Sequence, residues 1–230
     1  MPILFQNDFM PRIARAVVHG YPHHITQRGN YRQTVFETDG DYLQYLRWLK
    51  HYSNKYSLEI WAYCLMSNHV HFVCVPIKND SLARVFNTLH MRHSQYIHHR
   101  RKTSGHLWQG RFFSTILDEV HVYEAIRYVE NNPVRAGFAS KAEEYQWSSA
   151  RVHVDNAVDE ITSRDCYLLK EIGNWRNYLR ERNNELLIQN IKQCSITGRP
   201  CGEELFIEEL EKQLHRRLRA LPHGRPRERK

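Results

Sequence analysis

Residues 58–75 read LEIWAYCLMSNHVHFVCV, and they contain two apolar runs, Leu58 to Leu65 and Val70 to Val75. Apolar runs of this length that are bounded by turn residues are typical of strands. Met66-Ser67-Asn68 joins the two runs, and so short a connection is typical of a hairpin turn. The stretch therefore predicts a β-hairpin, which pairs two strands antiparallel and sets the direction of a sheet.

Strand and helix patterns alternate on both sides of the hairpin. Apolar residues between Ile13 and Arg28 predict a strand that ends at the turn Gly29-Asn30, whereas from Tyr42 to Tyr56 they recur at helical spacing. Ser81 is a suitable N-cap for a further helix, and Pro133 ends the last one. The predicted order is a strand at 13–28, a helix at 42–56, the hairpin, a helix from 81 that ends before the basic cluster at 100–102, a strand at 112–117 and a helix from 118 or 119.

This β-α-β-β-α-β-α order predicts an α+β fold, ferredoxin-like or RRM-like, in which helices cover one face of an antiparallel sheet. Beyond about residue 150, Asn, Glu, Arg and Lys dominate, and apolar residues recur at helical spacing around 175–191 and 205–218. We therefore divide the chain into a domain at 1–150 and a small basic helical extension at 151–230 that ends in a charged tail.

The composition favours a polyanionic partner. The 230 residues include 33 Lys and Arg against 25 Asp and Glu, a formal net charge of +8. Such a balance is typical of proteins that bind nucleic acid. A hydrophobic fraction of 41% is enough for a packed core and excludes a fully disordered chain.

The distribution of apolar and cysteine residues indicates the compartment. The five cysteines form no C-x-x-C pair, so neither a disulfide framework nor a zinc knuckle is indicated. The first seven residues have no basic stretch followed by an apolar core, and no apolar run approaches the roughly 18 residues of a membrane span. We expect a cytoplasmic protein without a membrane partner.

His69-Val70-His71 is the first candidate for chemistry. Residues two apart in a strand share a face, so both imidazoles point to the same side and can chelate one metal ion. With 15 histidines among 230 residues, about one H-x-H is expected by chance. The spacing alone therefore leaves two readings open, a metal site and a pair of hydrogen-bonded strand histidines.

Tyr128 and Asn132 are the second candidate, because residues four apart lie on one face of a helix. A tyrosine near a helix end is ordinarily packed in the core or at its rim. An amide oxygen at Asn132 would complete a site in which two neutral imidazoles leave room for phosphate oxygens on Mg²⁺ or Mn²⁺. The metal would neutralise a phosphodiester that the phenol attacks.

Four blocks of the sequence resemble the REP-associated tyrosine transposases of the HUH single-strand transposase superfamily. The resemblance spans about Pro11 to Ala150, and the blocks stand in the family's order. They are YPHHITQRGN at 21–30, AYCLMSNHVHFV at 62–73, LWQGRF at 107–112 and YVENNPVRAG at 128–137.

The resemblance implies a role for each residue of both candidates. His69 and His71 would be the metal ligands, and Tyr128 the nucleophile that forms a 5′-phosphotyrosine. Asn132 would be the third ligand, although many relatives have glutamine there, so a shorter side chain must reach the ion. The implied function is nicking and rejoining of single-stranded DNA at palindromic hairpins, with no small-molecule substrate, by a monomer or a homodimer.

Basic and aromatic residues supply candidate DNA contacts. Phosphates are gripped by arginine and lysine, and unpaired bases stack on aromatic rings. Gly224-Arg225-Pro226-Arg227 also resembles a hook that lays arginines into a minor groove. The candidates are Arg12, Arg15, Arg28, Arg32, Arg84, Arg92, Trp108, Arg111, Arg225 and Arg227.

Three alternative functions share these residues. A hairpin-binding regulator derived from such a transposase would bind DNA without needing Tyr128. A replication initiator or relaxase would use the same histidine strand, and a hydrolase would use water and form no protein–DNA adduct. The transposase interpretation requires that the Tyr128 phenol lie beside the two imidazoles.

Overall fold

A four-stranded antiparallel sheet forms the centre of the fold in a computed structural model, which describes residues 15–220. The strands lie in the order β2-β3-β1-β4, the order of the ferredoxin-like fold. The predicted α+β class and antiparallel sheet are confirmed. The elements are β1 (His23–Arg28), α1 (Asp39–Lys55), β2 (Leu58–Met66), β3 (His69–Pro76), α2 (Ser81–Arg101), β4 (Phe113–Ile116), α3 (Glu119–Glu130), α4 (Asn132–Arg135), α5 (Ala150–Val154), α6 (Leu168–Glu171), α7 (Trp175–Arg180), α8 (Glu185–Thr197) and α9 (Glu204–Leu214), with 3-10 turns at Asn30–Arg32 and Ala142–Glu144.

The predicted hairpin forms as β2 and β3. Met66 pairs with His69, so Ser67 and Asn68 make a two-residue turn. β3 also pairs with β1, which places Thr26 opposite His71 and Arg28 opposite His69. Because β3 has a partner on each side, the H-x-H pair lies inside the sheet and not at an edge.

The first strand is shorter than predicted. It begins at His23 and not near Ile13, which lies outside the described residues. Ala16 and Val18 are buried, but they pack in a separate small cluster with Leu210 of α9. Their apolar character therefore reflects contact with the C-terminal segment and not membership of the sheet.

The helices cover both faces of the sheet, whereas the sequence analysis predicted helices on one face only. α1 and α2 pack over the face of β3 that carries Val70 and Phe72. α3 packs over the opposite face, which carries Val73 and Val75. The reason is the alternation of side chains along buried strands, which makes both faces apolar and leaves the second face in need of cover.

The C-terminal helices extend the layer formed by α3. Trp175, Ile188 and Ile191 belong to one apolar cluster with Ala125 and Val129 of α3. α8 also contacts β1 and β4. Residues beyond 150 thus bury surface of the sheet domain, while the boundary at 150 stays a prediction.

Glu130, at the end of α3, is a fully buried carboxylate that ties this layer together. It accepts hydrogen bonds from Ser149 Oγ (2.5 Å), His153 Nδ1 (2.6 Å) and Trp175 Nε1 (2.8 Å). These donors come from the start of α5, from α5 itself and from α7. One side chain therefore fixes α3 against two later elements.

Within residues 15–220, no helix has both the length and the apolar character that crossing a bilayer requires.

Candidate active site

His69 and His71 project from β3 toward α3. Their ring centroids are 5.0 Å apart and the rings are nearly perpendicular, at 82°. Burial, followed by the charge of Arg28, lowers the pKa of His69 to about 4. Burial and the neighbouring histidines hold the pKa of His71 well below its ordinary value of 6.5. Both imidazoles are therefore neutral at pH 7 and keep lone pairs that a metal ion can use.

Tyr128 lies on α3 directly against this pair. Its ring meets the His71 ring edge to face, at 83° and with centroids 5.7 Å apart. α3 is held in place at its start, where the Asp118 side chain accepts a hydrogen bond from the backbone N–H of His121 (2.9 Å). The phenol and the imidazoles thus lie on the same side of the sheet and in the same chain, as the proposed chemistry requires.

Asn132 is the first residue of α4, one turn beyond the tyrosine. Its Nδ2 donates a hydrogen bond to the backbone oxygen of Tyr128 (3.3 Å). Its side chain also forms a hydrogen bond with His69, which opposes the fall in the pKa of that histidine. The structure therefore brings Tyr128, His69, His71 and Asn132 together at one place.

His24 is a member of the site that sequence reasoning missed. Its ring stacks on His71, with centroids 5.3 Å apart, and its Nε2 lies 3.1 Å from His71 Nδ1. Burial lowers the pKa of His24 to about 4. The residue stands in the block at 21–30, but His23 adjoins it, and the sequence alone does not tell which imidazole faces the site.

Two cations flank the tyrosine ring and were also missed. The guanidinium carbon of Arg135 lies 4.2 Å from the ring centroid of Tyr128, and Lys192 Nζ lies 5.3 Å from it. With Arg28, Lys192 also lines a cleft of about 380 Å³ beside Tyr128. The floor of this cleft is neutral and its rim is positive, which suits a phosphate group.

The predicted DNA contacts are spread over several places. Arg28 lines the cleft at the tyrosine. Arg15 and Arg111 lie together at its margin, where Arg15 donates to the backbone oxygen of Phe112 (2.9 Å). Arg84 and Arg92 are exposed on α2, and the sheet separates them from the cleft.

The remaining candidates lie elsewhere. Arg32 is exposed in left-handed backbone (φ 60) just beyond β1. Trp108 is buried in the core and not exposed on the surface. Its Nε1 donates a hydrogen bond to the backbone oxygen of His90 (3.1 Å). Arg12, Arg225 and Arg227 lie outside the described residues.

The donor set at Tyr128 fits a divalent metal ion. Among residues 15–220, no group of three or more His, Cys, Asp or Glu side chains is arranged to hold a metal, so a third donor must be of another kind. An amide oxygen at Asn132, beside two neutral imidazoles, is such a donor. Since these three groups carry no charge, they would leave the charge of a bound ion available to an anionic substrate.

The fold and this site define the family. The family model described as "Transposase IS200 like" matches residues 17–132, which is half of the chain. The chain therefore belongs to the IS200-like transposases. The matched range includes β1, the H-x-H strand, Tyr128 and Asn132, whereas Arg135 and Lys192 lie beyond it.

Two solved structures are similar to this chain at low sequence identity, and the first of them shares the fold. A REP-associated tyrosine transposase bound to a REP hairpin is 18% identical, with a TM-score of 0.52, and the alignment covers 68% of this chain and 93% of that one. A protein from Deinococcus radiodurans described as a transposase is 19% identical, with a TM-score of 0.38, and 53% and 97% are covered. No curated protein matches the chain.

Proposed function

We propose that this protein is a metal-dependent single-stranded DNA endonuclease and strand transferase that acts through a covalent 5′-phosphotyrosine at Tyr128. The observation that carries the proposal is the contact between the phenol ring and His71, at 5.7 Å between centroids, in one chain. An ordinary core tyrosine would not line a cleft between two imidazoles and a positive rim.

His69, His71 and Asn132 would hold the divalent ion, Mg²⁺ or Mn²⁺. When bound, this ion neutralises the scissile phosphate and orients it for in-line displacement. Arg135 and Lys192, which both lie against the Tyr128 ring, would attract the same phosphate. The phosphate is thereby held with its charge balanced within reach of the phenol.

The proposed reaction conserves the number of phosphodiester bonds. The Tyr128 oxygen forms a bond to phosphorus, the bond to the 3′ oxygen breaks, and that oxygen leaves as a 3′ hydroxyl after taking up a proton. The phenol proton passes to water in the cleft. Because the phosphotyrosine stores the bond energy, another 3′ hydroxyl can later displace Tyr128 and rejoin the strand without an external energy source.

The proposed substrate is single-stranded DNA next to a palindromic hairpin. One structural neighbour is bound to a REP hairpin, as the words that describe it state. In this chain, the net charge of +8 and the positive rim of the cleft support a nucleic-acid substrate.

The test is formation of a covalent adduct. Wild-type protein is incubated with a 5′-labelled and, separately, a 3′-labelled single-stranded hairpin oligonucleotide, with Mn²⁺ or with a chelator. We expect a band that resists SDS and boiling, that needs the metal, and whose linked peptide contains Tyr128 by mass spectrometry. Cleaved DNA without an adduct would indicate a hydrolase, and tight binding without cleavage would indicate a regulator.

Lys192→Ala is expected to lower the rate of adduct formation roughly tenfold, because it removes one charged contact worth about 1.5 kcal/mol at the phosphate. Lys192→Arg keeps the charge and serves as the control, with a loss of less than about threefold. Single-turnover rates at low and at high salt measure the effect. Equal rates for the alanine variant and the wild type would show that Lys192 does not contact the phosphate.

A further inference from the structure

Helix α8 brings a buried hydroxyl into contact with His24, which lies against the histidine pair. Ser195 is only 4% exposed, and its Oγ lies 3.0 Å from His24 Nδ1. Most serines in helices bond to their own backbone or to water. This one instead bonds to a side chain 171 residues away in sequence, across the interface between α8 and β1.

The hydroxyl begins a chain of two hydrogen bonds that ends at His71. His24 uses Nδ1 toward Ser195 (3.0 Å) and Nε2 toward His71 Nδ1 (3.1 Å). Both nitrogens of His24 therefore have partners in the protein. The second bond leaves Nε2 of His71 as the nitrogen that can face a metal ion.

The direction of this chain decides whether His71 can bind a metal. If Ser195 donates to His24, then His24 Nε2 carries the proton and donates to His71 Nδ1. His71 Nε2 then carries a proton itself and has no lone pair to offer. If Ser195 accepts, each proton shifts to the other nitrogen of its ring, and His71 Nε2 presents its lone pair.

We propose that Ser195 and His24 are positioning residues that hold His71 in its metal-binding tautomer and orientation. The inference rests on the proposed function, and it extends that function by assigning a role at the metal site to Ser195 of the C-terminal segment. Imidazole ligands of metals ordinarily hold their second nitrogen against a fixed partner, and loss of that partner weakens metal binding about 10–100-fold.

Metal affinity tests the proposal without relying on cleavage. Mn²⁺ binding is measured by electron paramagnetic resonance or calorimetry on the full chain, and circular dichroism monitors the fold. Ser195→Ala and His24→Leu are each expected to raise the Mn²⁺ dissociation constant by about 10–100-fold. Since His24 is buried and its replacement can disturb folding, Ser195→Ala is the deciding variant.

Thr197→Ala is the matched control on the same helix. Among residues 15–220, the Thr197 hydroxyl donates only to the carbonyls of Gln193 and Cys194 in its own helix, at 3.2 Å each. Its removal is expected to leave the Mn²⁺ dissociation constant within about twofold. A second readout is the ¹⁵N spectrum of the histidine rings, in which Ser195→Ala should change the proton occupancy of His71 Nδ1.

Two results separate this inference from the function on which it rests. If His69→Ala weakens Mn²⁺ binding and Ser195→Ala does not, the metal site stands and the positioning role of Ser195 is wrong. If His69→Ala leaves Mn²⁺ binding unchanged, the proposed metal site itself is wrong. Weakening by both variants, with Thr197→Ala unchanged, supports the chain from Ser195 through His24 to His71.

Discussion

Tyr128→Phe is expected to abolish the covalent adduct and to lower strand cleavage by at least about 10⁴-fold, while hairpin binding changes by less than about threefold. Phenylalanine keeps the ring that packs against His71 and that Arg135 and Lys192 cover. It removes only the oxygen that forms the bond to phosphorus. Single-turnover cleavage and a gel-shift titration measure the two effects separately.

Tyr123→Phe is the matched control for this change. Tyr123 lies on the same helix, and its hydroxyl donates a hydrogen bond to the carboxylate of Glu171, away from the cleft. Its loss should leave cleavage within about twofold. An adduct that persists in Tyr128→Phe would show that another residue is the nucleophile and would refute the proposed mechanism.

Glu130→Ala is expected to lower the free energy of unfolding by about 3–5 kcal/mol, a large share of the stability of an ordinary domain. The change leaves two buried donors, His153 and Trp175, without their acceptor, whereas the Ser149 hydroxyl still has the Tyr63 carbonyl within 3.3 Å. Each unsatisfied buried polar group costs about 1–3 kcal/mol. Urea denaturation followed by circular dichroism measures the loss.

Glu119→Ala provides the comparison on the same helix. Glu119 is exposed in the first turn of α3, where a negative charge stabilises the helix by about 1 kcal/mol or less. A loss at Glu130 no larger than that at Glu119 would mean that the buried carboxylate does not tie α3 to α5 and α7. Glu130→Gln should lower the free energy of unfolding by an amount between those of Glu130→Ala and Glu119→Ala, because the glutamine amide keeps one oxygen that accepts hydrogen bonds.

The sheet could be predicted because its signals are local. The hairpin strands at 58–66 and 69–76 are continuous apolar runs, and both helices of the α1/α2 face follow a helical spacing. The predicted N-cap of α2 was one residue late, since Asp80 occupies that position and the Ser81 hydroxyl accepts from Lys78 N. Pattern located the hairpin and α2 to within a residue or two, but it placed the start of β1 about ten residues too early.

The side of the sheet that α3 covers did not follow from its own pattern. Its apolar stripe predicts burial but not the partner surface. The histidines contain the missing information, because His69 and His71 share a face with Val73, and a nucleophile that serves them must lie on that face. Combining the chemical requirement with strand alternation would have placed α3 correctly.

Ser195 and Lys192 could not be predicted from the sequence. Neither stands in a motif, and both reach the site only because α8 packs against α3, β1 and β4. Such contacts arise from tertiary packing between distant segments, which no local spacing encodes. His24 could be predicted in part. It lies in the sequence block at 21–30 that resembles the family, but its role depends on its contact with the His71 ring, which only the structure shows.

In this fold the proposed nucleophile, Tyr128, lies beside His71 of the same polypeptide, and under the proposed mechanism this has a genetic consequence. Suppose that one allele lacks the phenol oxygen and another lacks the histidine pair. In a dimer whose subunits exchange their tyrosine helices, a mixed dimer of the two defective products can contain one intact active site. If each product instead folds as this chain does, it keeps its own defect beside its own sheet, and the two alleles would fail to complement each other.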